Sequence, residues 1–337
     1  MRELVCEPAG RRGGLGISII VPVYNGGEAF RSCLEAIKAA DPPADEVIVV
    51  ADGDTDGSGA LAEHSGAKVI RLPSSRGPAV ARNIGAASAG GDILVFVDAD
   101  VTIPPGFVGK VIDAFRERPD ISAVIGSYDD APAVPDFFSQ YKNLFHHYTH
   151  QHAREEASTF WGACGAVRRE AFFSIGGFNE GYRNPSIEDI EVGYRLRKAG
   201  HGIRLLKDLQ VKHLKRWSML SLLKTDFFHR AIPWSELILR EGKFLNDLNV
   251  TVSNRLSVIM VYLLVAAVLA MPFVSGLSPF ALLLVSTLLA VNFDLYRFFT
   301  ARHGLWFCAR AVLCHWLYFF YSGMAFLIGF VNCRIRN

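Results

Sequence analysis

The chain has 337 residues, of which 50% are hydrophobic and 20% charged, and its formal net charge is +2. With 24 Phe, 10 Tyr and 5 Trp it is too rich in aromatics to be intrinsically disordered. The near-balance of charge also excludes a dedicated nucleic-acid binder, which would show a basic excess. The six cysteines include no CxxC pair, so we expect reduced thiols in a protein that faces the cytosol.

Residues 1–16 contain glycine and charge but no apolar core segment, and we interpret them as an N-terminal tail without a signal peptide. From residue 17 to about residue 216, short β-branched runs alternate with amphipathic helical patterns such as 28–40 and the helix after Pro105. This alternation predicts an α/β domain with a mostly parallel sheet flanked by helices. The predicted strands are 17–23, 47–50, 69–72, 93–97 and 122–125.

Acidic residues follow two of these strands directly. Asp52 comes after the second strand, and Asp98 and Asp100 come after the fourth. In parallel α/β sheets, ligands bind beyond the carboxyl ends of the strands. Carboxylates at that edge suit Mg²⁺ or Mn²⁺ shared with a diphosphate. The alternative is that these aspartates only end strands in turns; two such positions on successive units favour the metal interpretation.

Further candidates lie along the rest of this domain. Arg82 and Asn83 are placed to contact phosphate or sugar, or they form an ordinary basic helix face. Trp161 and Gly162 precede a glycine-rich segment, and we expect them at an acceptor site, where Trp161 stacks on a sugar ring or fills the core.

Glu188-Asp189 opens a helix that ends near Gly200, a favourable residue just beyond a helix C-terminus. One interpretation is a carboxylate general base beside the metal site. The other is helix capping, because the helix dipole favours acidic residues in the first turn.

Four histidines are crowded into one short segment, at positions 146, 147, 150 and 152. A zinc site would need further ligands that no spacing in the sequence supplies. We therefore favour a surface or acceptor-side helix over a zinc centre.

The C-terminal third has the composition of a membrane region. No Asp, Glu, Lys or Arg occurs from residue 256 to residue 293. A proline- and glycine-containing break divides this stretch and predicts spans 256–274 and 279–293, with a third at 311–332 that crosses or dips in and returns. The alternative is a set of buried core helices. Residues 217–254 mix aromatic residues with Lys224, Arg230 and Arg240 and predict interfacial amphipathic helices.

The basic residues that flank the first two spans set the predicted orientation. They place both ends of this hairpin, and therefore the α/β domain, on the cytoplasmic side of the cell membrane. These residues are Arg240, Lys243 and Arg255 before the hairpin, and Arg297, Arg302 and Arg310 after it.

The motifs occur in the order found in family 2 glycosyltransferases, which the chain resembles over about residues 17–217. They are Ile-Ile-Val-Pro-Val-Tyr-Asn (19–25), Asp52-Gly-x-Thr-Asp56, Arg82-Asn83-x-Gly85, Asp98-x-Asp100 and Glu188-Asp189. The resemblance implies the GT-A nucleotide-diphospho-sugar transferase fold, inverting chemistry and a divalent metal.

The resemblance also implies a role for each matching residue. Asp52 contacts the nucleotide base, Pro22, Tyr24 and Asn25 line that pocket, and Ala51 departs from the family, which often has a second Asp there. Asp98 lies on the sugar-nucleotide side and joins Asp100 at the metal. Asp189 is the base that deprotonates the acceptor hydroxyl, with Glu188 as the second candidate.

The segment His213-Leu-Lys-Arg216-Trp217 resembles the Gln-x-x-Arg-Trp motif of processive membrane synthases, with His in place of Gln. That resemblance implies that His213, Arg216 and Trp217 hold the acceptor and the diphosphate. The substitution and the small number of spans argue against processive polysaccharide synthesis.

The leading hypothesis is a membrane-anchored, metal-dependent inverting glycosyltransferase with a nucleotide-sugar donor and a lipid or lipid-linked saccharide acceptor. A sugar-phosphate nucleotidylyltransferase would carry a basic, glycine-rich loop after the first strand, whereas residues 22–28 contain no basic residue. An inactive membrane scaffold would not retain this set of carboxylates. No nucleic-acid partner is expected, and the oligomeric state stays open.

Overall fold

The structure, a computed structural model, describes residues 14–242 and 248–336. Most of the predicted N-terminal tail, residues 1–13, therefore lies outside the described residues, as do Cys6 and the flanking Lys243.

The N-terminal half of the α/β domain is a parallel sheet in the order β3-β2-β1-β4. Its strands β1, β2 and β4 are apolar and buried on both faces, which is why they lack polar alternation. This confirms the first four predicted strands. The elements are β1 (Ile17–Val23), α1 (Gly27–Lys38), β2 (Glu46–Asp52), α2 (Ser58–His64), β3 (Lys68–Leu72), α3 (Pro78–Ala87) and β4 (Ile93–Val97).

The second half makes the sheet mixed instead of mostly parallel. β8 lies antiparallel between β4 and β6, β9 runs parallel to β6, and the short strands β5 and β7 pair antiparallel with β9. The predicted strand at 122–125 is the centre of β6. The elements are β5 (Val101–Thr102), α4 (Phe107–Glu117), β6 (Ile121–Tyr128), α5 (Phe137–His152), β7 (Glu156–Ala157), β8 (Cys164–Arg168), α6 (Arg169–Ser174), α7 (Glu188–Lys198) and β9 (Gly202–His213).

Apolar side chains fill the space on both faces of the sheet. On one face the ring of Phe96 meets Phe160 edge-on at 6.1 Å between centroids and Phe178 at 5.1 Å. On the other face, the free thiols of Cys33 and Cys164 are buried in the core. The five described cysteines are all unpaired, as expected from their spacing.

The C-terminal part is helical. Two helices, α10 and α12, are long and apolar enough to cross a membrane; α11 has 15 residues, roughly 22 Å at about 1.5 Å per residue, less than a bilayer core of about 30 Å. The predicted spans 256–274 and 279–293 overlap α10 and α11 and run a few residues past the C-terminal ends of these helices, and the third span falls within α12. The predicted interfacial region contains α8, a π-helical segment and α9. The elements are α8 (Met219–Lys224), the π-helical segment Thr225–Ala231, α9 (Ile232–Glu241), α10 (Val252–Ala270), α11 (Leu277–Val291) and α12 (Phe293–Arg336), which breaks at Gly304.

Close contacts hold the C-terminal helices to one another and to the α/β domain. A Cβ on Gly323 of α12 would lie 2.4 Å from the Tyr262 ring of α10, so glycine is needed where these helices meet. On the other side, Tyr141 of α5 packs its ring 5.9 Å from that of Phe299 in α12. The two parts therefore share one interface, and α5 is its centre on the α/β side.

Candidate active site

The carboxyl ends of β1 and β2 lie side by side, and the loops that follow them are hydrogen-bonded together. Asn25 Oδ1 accepts from the Thr55 backbone N–H at 2.8 Å, and the Gly26 N–H donates to Ser58 Oγ at 3.0 Å. The Tyr24 side chain is 58% exposed at this edge, and Pro22 is half-buried beside it. Asn25 thus holds the loop through its side chain, whereas Tyr24 presents an open aromatic face.

Asp52, at the end of β2, is buried and holds the loop before α3. Its carboxylate accepts hydrogen bonds from the Arg76 N–H at 2.7 Å, the Gly77 N–H at 2.9 Å and Ser75 Oγ at 2.9 Å. These contacts give Asp52 a structural task that its motif did not reveal. Contact with a nucleotide base stays a prediction from the family resemblance.

Arg82 is buried between two carboxylates. Its Nη2 donates to Asp98 Oδ1 at 2.7 Å and its Nη1 to Glu188 Oε1 at 2.8 Å, and the Phe178 ring covers one face of the guanidinium. Burial opposes its charge, but Asp98 and Glu188 outweigh burial and raise the pKa of Arg82 above its ordinary value. Arg82 therefore positions Asp98 and Glu188, contrary to the expectation that it reaches phosphate or sugar.

Asn83 corrects a second expectation. Its Nδ2 donates to the Phe178 carbonyl at 2.9 Å and to Glu180 Oε1 at 3.0 Å, and its Oδ1 accepts from the Phe178 N–H at 2.8 Å. Both amide hydrogens are used in these contacts. Asn83 fastens α3 to the loop before α7 and is not free to bind a donor.

Asp100 and His213 meet although they are far apart in sequence. His213 Nε2 lies 3.5 Å from Asp100 Oδ2, its Nδ1 bonds Asn143 Oδ1 at 2.9 Å, and its ring stacks on Tyr128 at 4.5 Å. Burial works against ionisation of Asp100, but His213 and Lys215 prevail and hold its pKa below the usual value. An ionised carboxylate at a strand end is thus kept beside an imidazole.

In the rest of the His213–Trp217 segment, one side chain is buried and another is exposed to solvent. Trp217 is buried and its backbone N–H donates to Ser139 Oγ at 2.8 Å, whereas Arg216 is 81% exposed and lies 3.4 Å from Asp136. Lys215 rests on the Trp217 ring. Arg216 therefore faces solvent beside Asp136, and its contact with a diphosphate stays a prediction from the family resemblance. Lys215 acts together with His213 to lower the pKa of Asp100.

Asp189 and Glu188, at the start of α7, face different surroundings. Glu188 is buried, with Oε1 on Arg82 and Oε2 accepting from the Ser186 N–H at 2.8 Å. Asp189 Oδ2 accepts from the Gly162 N–H at 3.0 Å, and its carboxylate lines a cavity. A Cβ at Gly162 would approach the Arg82 guanidinium carbon to 3.0 Å, so glycine permits this packing.

Asp189 also has a shifted proton affinity. Burial and the charge of Glu188 raise its pKa to about 6, against the Gly162 hydrogen bond and the charges of Arg82 and Arg230, which lower it. A carboxylate with a pKa near neutrality is suited to general-base chemistry.

The cavity, of about 880 Å³, starts at Asp189 and extends between the C-terminal helices. We call it the central cavity. Its first part is lined by Asp189, Trp161 and His146 from the α/β domain, and its far part is apolar. The apolar lining comes from α10 and α12 and includes Val258, Ile259, Leu263, Ala266, Phe319, Phe326 and Leu327.

The histidine cluster lies on α5 and serves mainly to dock this helix. His147 Nδ1 bonds the Tyr128 carbonyl at 2.8 Å and His150 Nδ1 bonds the Gly126 carbonyl at 2.9 Å, both on β6. His152 bonds its own helix, and His146 lines the central cavity beside Trp161 at 4.7 Å between rings. Within the described ranges, no three His, Cys, Asp or Glu side chains form a metal-binding group.

Two of the carboxylates still fit a divalent cation that a substrate helps to hold. Asp98 keeps one oxygen outside its bond to Arg82, and Asp100 is held ionised. Mg²⁺ is usually bound by one or two carboxylates together with substrate phosphates, so a third protein ligand is not required.

The residues that sequence reasoning missed are Lys142, Asp226 and Tyr128, together with a site role for Arg230. Lys142 Nζ contacts both Asp226 oxygens, at 2.6 and 2.7 Å, across the interface between α5 and the π-helical segment. The available signal was the spacing of Asp226 and Arg230, four residues apart on either side of Phe227 and Phe228.

This arrangement defines the class of protein. A mixed α/β sheet with carboxylates after β2 and β4 and at the start of α7, followed by apolar helices, is a nucleotide-diphospho-sugar transferase fold of the GT-A type. Residues 18–176 match the family described as glycosyl transferase family 2, and residues 142–218 match the N-terminal domain of galactosyltransferase. The α/β domain of this chain thus matches glycosyltransferase family 2 over residues 18–176.

Individual relatives agree with this assignment. The glycosyltransferase GlyG of Streptococcus pneumoniae serotype 4 is 31% identical over 117 residues, 33% of this chain and 38% of GlyG. The succinoglycan biosynthesis protein ExoA of Rhizobium meliloti is 26% identical over 243 residues, 64% of this chain and 71% of ExoA. The chain spans 27% and 46% of the length of two other curated relatives.

The fold has a near full-length counterpart among solved structures. The mannosyltransferase PcManGT from Pyrobaculum calidifontis, in complex with GDP-Man and Mn²⁺, superposes with a TM-score of 0.53 at 18% identity. The match covers 93% of this chain and 87% of that one. It shows that the α/β domain and the helices after it form a known arrangement.

Proposed function

We propose that this protein is a membrane-anchored inverting glycosyltransferase that moves a sugar from a nucleotide-diphosphate donor to a lipid or lipid-linked saccharide. The observation that carries the proposal is the central cavity, which joins Asp189 to the apolar space between α10 and α12. A single cleft of this kind holds both the reacting hydroxyl and the hydrocarbon of one acceptor.

On the donor side, the nucleotide lies at the edge formed by Tyr24 and the loops after β1 and β2. The diphosphate lies at Asp98 and Asp100, where a bound Mg²⁺ or Mn²⁺ would neutralise charge on the leaving group. Asp100 is kept ionised by His213 and Lys215 for this task. The GDP-Man and Mn²⁺ in the PcManGT complex support a donor of this chemical class.

On the acceptor side, Asp189 takes the proton of the attacking hydroxyl at its carboxylate. The Gly162 N–H fixes the orientation of that carboxylate, and the raised pKa makes Asp189 a better base than an ordinary aspartate. Trp161 borders the same cavity and offers an aromatic face to an acceptor sugar. Attack from this side, opposite the leaving diphosphate, gives inversion.

The exposed apolar surface of the C-terminal helices supports anchoring in a membrane. Leu269 is 69% exposed, Phe273 87% and Leu282 66%, whereas core helices of soluble proteins bury such side chains. The basic residues flanking the hairpin of α10 and α11 support a cytoplasmic position for the α/β domain.

The test is transfer by the full chain in detergent or nanodiscs, with Mn²⁺ and a total bacterial lipid extract as acceptor. UDP-, GDP-, CDP- and TDP-sugars labelled in the sugar are offered in turn, with Asp189→Asn as the matched inactive variant. The proposal expects label in the organic phase for one donor with the unaltered chain, and loss of that label in the variant. Label only in nucleotide or free sugar for every donor would contradict it.

A further inference from the structure

A charged group lies in the wall of the central cavity beside the interface with the C-terminal helices. Lys142 Nζ contacts Asp226 at 2.6 and 2.7 Å, and Tyr321 donates its hydroxyl to Asp226 Oδ2 at 3.1 Å. Arg230 Nη1 is 3.9 Å from Asp226 Oδ1. Asp226 is buried, so its carboxylate interacts with two cations and one hydroxyl where little water is present.

Arg230 lies beside this group without a hydrogen bond to it. The short contacts of Lys142 neutralise Asp226, and the distance of 3.9 Å from Arg230 is too long for a hydrogen bond. Across the described part of the chain, the Arg230 guanidinium makes no hydrogen bond and no second ion pair. Asp189 lines the same cavity and interacts with the charge of Arg230, but the two side chains form no ion pair within the described residues. A guanidinium with five donors is thus open to an occupant of the cavity.

The position of Arg230 in the cavity indicates which chemical group of the occupant it would contact. Asp189 and Trp161 border the cavity on one side, and the apolar residues of α10 and α12 border the other. The π-helical segment Thr225–Ala231 carries Arg230 in the cavity wall, and single π-turns inside α-helices are frequent at functional sites. A molecule that reaches from Asp189 into the apolar part therefore passes the Arg230 guanidinium, whose donors make no hydrogen bond among the described residues.

We propose that Arg230 binds a phosphate group of the lipid acceptor, between the hydroxyl that Asp189 deprotonates and the hydrocarbon held by α10 and α12. The proposal rests on the proposed function and narrows the acceptor to a phosphate-bearing amphiphile. The planar fork of arginine matches phosphate oxygens in pairs, and such charge-assisted bonds are strongest where water is excluded.

The test compares dodecyl phosphate with neutral dodecanol, using the full chain in phosphatidylcholine nanodiscs. Trp161 and Trp234 both line the cavity, so tryptophan fluorescence reports occupancy. Arg230→Gln should weaken dodecyl phosphate binding by about tenfold or more, since hydrogen bonds to charged groups are among the stronger ones. It should leave dodecanol binding unchanged. Lys224→Gln, which removes an exposed charge from the same helical stretch, should alter neither.

Equal dodecyl phosphate affinity in Arg230→Gln and the unaltered chain would overturn the proposal. If Arg230→Gln weakens dodecanol binding too, Arg230→Lys decides: recovery of dodecyl phosphate binding supports a phosphate contact, and no recovery overturns it. If dodecyl phosphate binds in phosphatidylcholine nanodiscs but not in phosphatidylglycerol nanodiscs, the anionic headgroup of a bilayer lipid occupies the site. That result would overturn the acceptor role.

Failure of the proposed function can be distinguished from failure of the inference about Arg230. If Asp189→Asn keeps full transfer while Arg230→Gln loses dodecyl phosphate, the catalytic assignment is wrong and the phosphate site stands. If Asp189→Asn loses transfer but Arg230→Gln binds dodecyl phosphate as well as the unaltered chain does, the enzyme assignment stands and this inference is wrong.

Discussion

Glu188 and Asp189 are adjacent in sequence, yet Glu188 is locked to Arg82 at 2.8 Å while Asp189 lines the central cavity. The turn of α7 places the two carboxylates on different sides of the helix start, one toward the buried guanidinium and one toward the Gly162 N–H. Of the two candidate bases, the geometry therefore favours Asp189. Glu188 contributes by holding Arg82, which in turn holds Asp98.

Asp189→Asn should lower the rate of transfer by about 10²–10⁴-fold, the usual contribution of one general base. Donor binding should survive, because Asp98 and Asp100 are unchanged. Single-turnover transfer and calorimetric binding of the nucleotide sugar measure the two effects. Asp208→Asn, at a surface carboxylate paired with Lys110, is the control and should change neither. Equal loss of binding and turnover in Asp189→Asn would make Asp189 a structural residue or metal ligand.

Transfer should depend on pH through Asp189. Because its pKa is raised to about 6, the carboxylate is protonated and inactive as a base below that pH and ionised above it. The rate should therefore fall about tenfold per unit as pH drops below about 6. The measurement is the single-turnover rate at saturating donor. A rate that stays constant down to about pH 5 would exclude Asp189 as the titrating base.

Asp100→Asn should abolish transfer and weaken Mn²⁺ binding while the protein stays folded, since Asp100 lies at a strand end outside the sheet core. Removal of metal with excess chelator should have the same effect on the unaltered chain, and added Mn²⁺ should restore it. Transfer rates and Mn²⁺ titration followed by electron paramagnetic resonance test both. Full activity in chelator would refute the metal assignment.

Arg82→Met should destabilise the α/β domain, because it leaves Glu188 buried without its partner. Breaking a buried ion pair on one side typically costs about 3–5 kcal/mol. The double variant Arg82→Met/Glu188→Leu removes both buried charges and should recover much of that loss. Denaturant unfolding of the solubilised protein measures each free energy. If the double variant is no more stable than the single one, the pair is not the source of the loss.

The hairpin of α10 and α11 should cross the membrane and return. A topology reporter fused after Ser275 should read the outer side, and one fused at Arg302 should read the cytoplasm, because basic residues flank both outer ends of the hairpin. A fusion before the predicted first span, at Arg216, serves as the cytoplasmic reference. A cytoplasmic signal at Ser275 would show that the hairpin does not cross.

The sequence by itself determined the features that depend on local pattern. Strands β1, β2 and β4 were recognisable because a strand buried on both faces has to be continuously apolar. Asp98 and Asp100 follow directly from where β4 ends, and the charge-free C-terminal stretches mark α10 and α12. The order of short motifs identified the family.

Tertiary structure decided which polar groups have partners. The sequence predicted ligand contacts for Arg82, Asn83 and Arg216. In the structure their side chains contact residues from distant parts of the chain, which are Glu188, Phe178 and Asp136, respectively. The antiparallel strand β8 was also missed, because its place between β4 and β6 depends on long-range pairing.

The surroundings of Arg230 also could not be predicted from the sequence. In the sequence it is one basic residue in an interfacial stretch. Only the packing of α5 against the helices bonds Asp226 to Lys142 and leaves Arg230 at the cavity wall without a hydrogen bond to Asp226. Periodicity shows which face of an element is buried, but the contacts around Asp226 join residues far apart in sequence, 84 positions for Lys142 and 95 for Tyr321.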